Sequence, residues 1–253
     1  MSRIETVPIG YILRARRSAH FRHTKDRLYI TDRGLGEYEH GLPQFKGKGV
    51  SELIEDKIDQ GIEPINVLDI GCGEGNFLAS LVHRYPQIRA FGISAFDYRQ
   101  KTGLWGDRIK QVDYRLGDAQ RLASVFPDVE FDLVVSRHCL EYTDDPLSVL
   151  KQAYRRSKIG GVILLDRLGT LLNQLQAKNL KAYWEQNGIQ ADLERYFPGE
   201  DKYDRTIYKL AIQKASNNKL PLPFRYSYRG EGVLLNYSFD EEAVARTVTH
   251  TVI

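Results

Sequence analysis

The chain is 253 residues long, 42% hydrophobic and 27% charged, with a formal net charge of +3, an ordinary globular balance with room for one sizeable core and its attachments. No apolar run approaches the roughly 20 residues of a membrane span and no charged-then-apolar leader follows Met1, so neither a span nor a secretory signal is expected. Two cysteines, Cys72 and Cys139, are too few for a disulfide framework, which fits a reducing, cytoplasmic compartment.

Charge is concentrated at the front. Residues 1–50 carry ten Lys/Arg against five Asp/Glu, a local +5 that leaves −2 for the remainder. Such a front either meets phosphate or an acidic substrate or is a solvated face, and it does not decide function. Residues 3–33 read as an N-terminal arm in which Ile9, Tyr11, Ile12 and Leu13 can pack. Residues 34–49 set Gly34, Gly36, Gly41, Gly47, Gly49 and Pro43 around Tyr38, His40 and Phe45, the composition of a mobile loop carrying aromatics. Ser51 suits a helix N-cap, with Leu53, Ile54 and Ile58 on one face of a helix reaching about Gln60.

The most informative stretch comes next. Val67-Leu68-Asp69-Ile70 is a short apolar run, glycines follow at Gly71, Gly73 and Gly75, and Phe77-Leu78-Ala79-Ser80-Leu81-Val82 continues it; this reads as strand, tight turn, helix. Glycines in the turn let a flat ligand lie against the main chain, and the free N–H groups of the helix start point at it. A ligand site is the default reading. The spacing is G-x-G-x-G, with Asn76 where a dinucleotide-binding turn needs its third glycine. Asp69, two residues ahead of the turn, suits a cationic amino group and not a pyrophosphate.

Strand and helix signals then alternate. Ile88–Ser94 reads as the second strand, Val112–Asp118 as the third and Phe131–Ser136 as the fourth. Leu147–Ser157 is an amphipathic helix closed by Gly160-Gly161, and Val162–Leu165 is a further strand. A helix over 174–187, a segment Ile189–Phe197 and a strand Thr206–Lys214 follow. Strands separated by helix-sized segments imply a doubly wound, parallel α/β sheet. Beyond 215, Phe224, Tyr226 and Tyr228 alternate, Arg229–Gly232 can turn, and Val233, Leu235, Tyr237 and Phe239 alternate again. That is a β-hairpin with one apolar face, to be buried on the core, over the active site or against a second subunit.

Asp69-Ile70-Gly71-Cys72-Gly73-Glu74-Gly75 resembles motif I of the class I S-adenosylmethionine (SAM) dependent methyltransferases, and the resemblance extends over about residues 50–215. It implies a doubly wound, mostly parallel seven-stranded α/β sheet, here with an N-terminal cap and a C-terminal hairpin extension. Three parts are expected: an arm and lid over 1–50, a SAM-binding core over 51–215, and the hairpin extension over 216–253. By this resemblance Asp69, Ile70, Gly71, Cys72, Gly73 and Gly75 hold the amino-acid part of SAM. The family usually places Asp or Glu at the end of the second strand, where both ribose hydroxyls are taken. This chain has Ser94 there, with Asp97 or Gln100 able to supply a second bond; carbon-methylating branches look similar in carrying a hydroxyl at this place. Gly117-Asp118-Ala119 matches the element whose carboxylate accepts from the adenine amino group and whose next N–H meets the ring. Ser136-Arg137-His138-Cys139-Leu140-Glu141-Tyr142, followed by Asp144-Asp145-Pro146-Leu147, resembles the fourth-strand signature of small-molecule methyltransferases, which adds Ser136 and Arg137 to the cofactor set.

Methyl transfer from a sulfonium is an in-line displacement in which positioning and desolvation do much of the work. A base is needed only if the acceptor must lose a proton. His138 is the candidate base, with Glu141 or Tyr142 orienting it; its other reading is a residue packed at a helix start. His20, His23, His40 and His83 lack a spaced ligand set, so no metal is expected. The expectation is therefore a SAM-dependent methyltransferase of a small molecule, with an O, N or C acceptor and a homodimer through the terminal extensions open. Three alternatives stand beside it. One is a nucleic-acid methyltransferase using the basic front, disfavoured because no Asn/Asp-Pro-Pro-Tyr/Phe motif is present. Another is a SAM-fold protein that no longer methylates or uses SAM otherwise, raised by Ser94. The third, an NAD-dependent oxidoreductase, is disfavoured by Asn76 and the missing acid.

Overall fold

Near-continuous apolar runs become strands covered on both faces. In the computed structural model, which describes residues 35–73, 75–95, 112–140, 143, 145–166, 174–196, 207–227, 236–240, 242 and 244, these runs build one seven-stranded sheet. Strands β1 (Ile65–Ile70), β2 (Ile88–Ser94), β3 (Val112–Leu116), β4 (Phe131–Ser136) and β5 (Ser157–Leu165) are parallel. Strand β7 (Ile207–Gln213) lies antiparallel to β5, and β6 (Ala191–Tyr196) antiparallel to β7. The spatial order is β3-β2-β1-β4-β5-β7-β6, the doubly wound arrangement expected from the sequence. Every residue of β4 is buried, as a central strand between two helical layers requires.

Helices α1 (Leu35–Gly41), α2 (Val50–Asp59) and α3 (Asn76–Arg84) cover one face, packing Tyr38, Leu53, Ile54, Phe77 and Leu81 on Val67, Leu133 and Val135. Helices α4 (Leu122–Val125), α5 (Pro146–Arg156) and α6 (Gln174–Gln186) cover the other, where Leu150, Tyr154, Leu180 and Trp184 join Leu68, Ile70 and Ile163. Side chains one residue apart on β1 thus enter different cores, the period of two that strand geometry dictates. Among the described residues, no helix is long and apolar enough to cross a membrane.

The terminal hairpin forms from β8 (Phe224–Ser227) and β9 (Asn236–Phe239), with Phe224 opposite Phe239. Phe224 and Leu220 are buried in the α6 side of the core, and Trp184 Nε1 donates to the Pro221 carbonyl at 2.8 Å. Of the three places open to its apolar face, the hairpin's entry is held on the chain's own core.

Three local expectations change. The segment 34–49 is not a loop throughout: residues 35–41 are α1, Tyr38 and Phe45 are buried, and Phe45 and Lys48 close a tight turn by exchanging backbone bonds of 3.0 Å. Its apolar residues found a core to bury against, which overrode the glycine content. Helix α2 is capped by Gly49 and not Ser51; the Gly49 and Ser51 N–H groups donate to Glu52 and Glu39 carboxylates, each at 2.7 Å. Finally, β5 begins at Ser157 directly after α5. The pair Gly160-Gly161 sits inside the strand as a bulge, because the register jumps from Phe131–Ser157 to Leu133–Val162.

Candidate cofactor and active site

All five parallel strands end at one edge of the sheet, and the chain order reverses around β1, where β2 and β4 flank it. Open α/β sheets place ligands at such a switch point. The glycine turn leaves β1 there. Gly71 adopts φ of 80° and Gly75 φ of 76°, a region in which a side chain is strained. Gly71 is needed for space as well, since a Cβ there would collide with the Cys139 side chain. The Gly71 and Cys72 N–H groups both donate to Ile93 O, at 2.8 and 3.2 Å, tying the turn to β2. Gly75 is the N-cap of α3 and supplies no side-chain cap, so the first turn's N–H groups remain for a ligand.

Asp69 is fully buried beside this turn. Its Oδ2 accepts a hydrogen bond of 3.0 Å from the Tyr38 hydroxyl, while its Oδ1 has no hydrogen-bond partner among the described residues. A buried, half-satisfied carboxylate asks for a donor. Burial pushes its carboxyl up to about 7, against the pull of the Tyr38 bond; Asp166 pushes it further up and Arg137 pulls it down. Burial also raises the Tyr38 phenol well above its usual range, with Asp69 adding to the shift, so Tyr38 stays a donor. The Cys72 thiol is raised chiefly by burial too, which makes it inert packing.

The other strand ends join in. Ser94 closes β2 nearly buried, and its carbonyl accepts from the Gly117 N–H at 3.0 Å, so the Gly117-Asp118-Ala119 segment starts beside it. Asp118 caps the short 3₁₀ turn Ala119–Arg121 by accepting from the Gln120 N–H at 2.9 Å. Ser136 Oγ donates to the Ile70 carbonyl at 3.0 Å and links the ends of β4 and β1. Arg137 lies over the Tyr38 ring, 5.6 Å from its centroid.

His138 takes a left-handed backbone, φ of 53°, rare for a residue with a side chain. Asp166, at the end of β5 and only 4% exposed, holds it there. Its Oδ1 accepts from the His138 N–H at 2.9 Å, and its Oδ2 lies 3.7 Å from Nε2. The imidazole is about one-third exposed, so it can meet a substrate. The structure thus brings together Asp69, Ile70, Gly71, Cys72, Gly73, Gly75, Ser94, Asp118, Ala119, Ser136, Arg137 and His138 at one edge. Asp97, Glu141, Tyr142 and Gln100 lie outside the described residues.

Sequence reasoning missed two members. Asp166 gave a readable signal, a lone acid ending the apolar run Val162–Leu165. Tyr38 gave little, being set among glycines with no periodicity around it.

A strand order of this kind with a glycine turn after β1 defines a Rossmann-like ligand-binding protein. The match with known families is narrower: a family described as a methyltransferase domain covers residues 38–201, and the chain belongs to it. Ajmaline N-methyltransferase of Rauvolfia serpentina is 31% identical over 106 residues, 41% of this chain and 36% of that protein. The 2-methyl-6-phytyl-1,4-hydroquinone methyltransferase 2, chloroplastic, of Oryza sativa subsp. japonica is 25% identical over 191 residues, 73% of this chain and 51% of that protein. The chain spans about half or less of the length of these relatives. Among solved structures, the plantazolicin methyltransferase BpumL in complex with a pentazolic desmethylPZN analogue and SAH superposes with a TM-score of 0.51 at 12% identity, covering 82% of this chain and 96% of that one. That likeness is one of fold.

Proposed function

We propose that the chain is a SAM-dependent methyltransferase that methylates a small molecule at O, N or C. The observation that carries this is Asp69: a buried carboxylate with one oxygen unpartnered among the described residues, beside a left-handed glycine turn. That pair fits an amino acid whose ammonium needs an acceptor and whose body must lie on the main chain. Family membership and the methyltransferase names of its relatives support the same reading.

In this reading Asp69 Oδ1 accepts from the ammonium, and the Gly71–Gly75 backbone and the α3 start receive the rest of the amino-acid portion. Asp118 and the Ala119 N–H meet adenine, and Ser94, with Asp97, takes the ribose; Ser136 and Arg137 complete the wall. SAM, when bound, supplies an electrophilic methyl group on a sulfonium. The chain's own contribution is to align the acceptor and keep water out. Where the acceptor carries a proton, His138 takes it, with Asp166 holding the His138 backbone and facing its ring, and with Glu141 assisting. A small-molecule partner, a cytoplasmic setting and self-association through the terminal extensions belong to the same proposal.

The test is transfer itself. Methyl-labelled SAM incubated with the full chain and a pool of small metabolites, or with total RNA, should label the small-molecule fraction. Label confined to RNA, with binding that weakens steeply in salt, would replace the small-molecule reading. SAM binding without transfer to any pool would favour a SAM-fold protein that does not methylate.

A further inference from the structure

We propose that Tyr38 is a positioning residue for the cofactor's amino-acid end: its hydroxyl fixes Asp69 Oδ2, and so presents Oδ1 to a ligand ammonium. The proposal rests on reading this edge as a SAM site. A carboxylate is free to turn about its terminal torsion, which is broad and two-fold. One donor at a fixed place sets its plane and decides which oxygen is left over. Tyr38 is such a donor. Its ring stacks on Phe77 in α3 with centroids 3.8 Å apart and planes within 4°. Arg137 lies over the same ring at 5.6 Å, and α1 approaches so closely that a Cβ on Gly41 would strike the Arg137 side chain. Tyr38 is 6% exposed, so its hydroxyl has little freedom to leave.

The groups around Asp69 explain why this bond matters. Tyr38 faces it from α1, Cys72 from the glycine turn, Arg137 from the end of β4 and Asp166 from the end of β5. Burial and Asp166 favour the protonated carboxyl; the Tyr38 bond and Arg137 favour the anion. Without the hydroxyl, Asp69 would lose a bond, a fixed plane and part of its charge. An arm placed before the core in sequence therefore completes the cofactor site.

Tyr38→Phe removes the oxygen and keeps the stacked ring. Binding is measured by calorimetry with S-adenosylhomocysteine and with 5′-methylthioadenosine, which is the same nucleoside without the amino-acid portion. The variant should bind S-adenosylhomocysteine about tenfold more weakly, the size of a lost bond to a charged group, and bind methylthioadenosine as the wild type does. The pH below which S-adenosylhomocysteine affinity falls should move upward. In an Asp69→Asn background, adding Tyr38→Phe should change nothing further, because Tyr38 acts through Asp69. Equal weakening of both ligands would mean that Tyr38 only packs, and unchanged affinity for S-adenosylhomocysteine would also overturn the proposal while leaving the SAM site standing. Failure of the wild type to bind S-adenosylhomocysteine would overturn both.

Discussion

Two buried aspartates stand at opposite ends of the central strands, and they are satisfied very differently. Asp132, at the amino end of β4, accepts from the Asn66 N–H at 2.8 Å and from Lys158 Nζ at 2.7 Å, with Lys57 Nζ 3.9 Å from its other oxygen. Among the described residues, Asp69, at the carboxyl end of β1, has Tyr38 alone on one oxygen and no hydrogen-bond partner on the other. The residue type is the same and so is the burial. One carboxylate is used up in joining β1, β4, β5 and α2; the other is held back from saturation. A buried charge held by a backbone N–H and two lysines reads as architecture and a half-satisfied one as a ligand site.

That contrast can be broken by substitution. Asp132→Ala should cost about 3 kcal/mol of stability in urea unfolding, since it strands buried donors and the part-buried Lys158, while S-adenosylhomocysteine affinity of the folded fraction stays as in the wild type. A cost below about 1 kcal/mol would deny Asp132 its structural role. A glycine pair sharpens the same division. Gly71→Ala, strained and in collision with Cys139, should lose about 2 kcal/mol together with ligand binding. Gly160→Ala, equally left-handed but with open space around it, should lose about 1 kcal/mol and keep binding.

Smaller effects follow from protonation. The folded carboxyl of Asp69 titrates at about 7, well above its ordinary 3.8. The folded state therefore holds this proton more tightly than the unfolded chain does. Its stabilising contribution is complete below about pH 4 and is lost as pH rises to about 7. Asp69→Asn should accordingly raise the ligand-free protein's stability near about pH 8 by on the order of 1 kcal/mol, measured as a denaturation midpoint, with no gain near about pH 4. Ligand binding runs the other way: an ammonium prefers the ionised carboxylate, so S-adenosylhomocysteine affinity should fall several-fold as pH drops from about 8 to about 6. A flat profile would place the ammonium elsewhere.

Much of this was legible in the sequence because it was written in local patterns. The glycine spacing after Val67–Ile70 located the turn and its ligand site, and the bounds of β2 and β4 match the sequence pattern to the residue. What escaped depended on long-range pairing. Tyr38 meets Asp69 across 31 positions of sequence, and no periodicity announces a phenol that reaches a carboxylate. The bulge at Gly160-Gly161 resembles a helix stop when read alone, and only its register against β4 makes it part of β5. His138 and Asp166 meet across 28 positions, so a histidine visible in its motif concealed the acid that anchors it.

The most direct test of the account is calorimetric titration of SAM into the purified chain and into Asp69→Asn, near about pH 8, where the carboxylate is ionised. Micromolar-range binding by the wild type and a loss of about 100-fold in the variant are expected, the cost of removing a buried charged partner. Equal affinity in a variant that folds as the wild type does would contradict it, because the half-satisfied carboxylate would then not be the cofactor's acceptor.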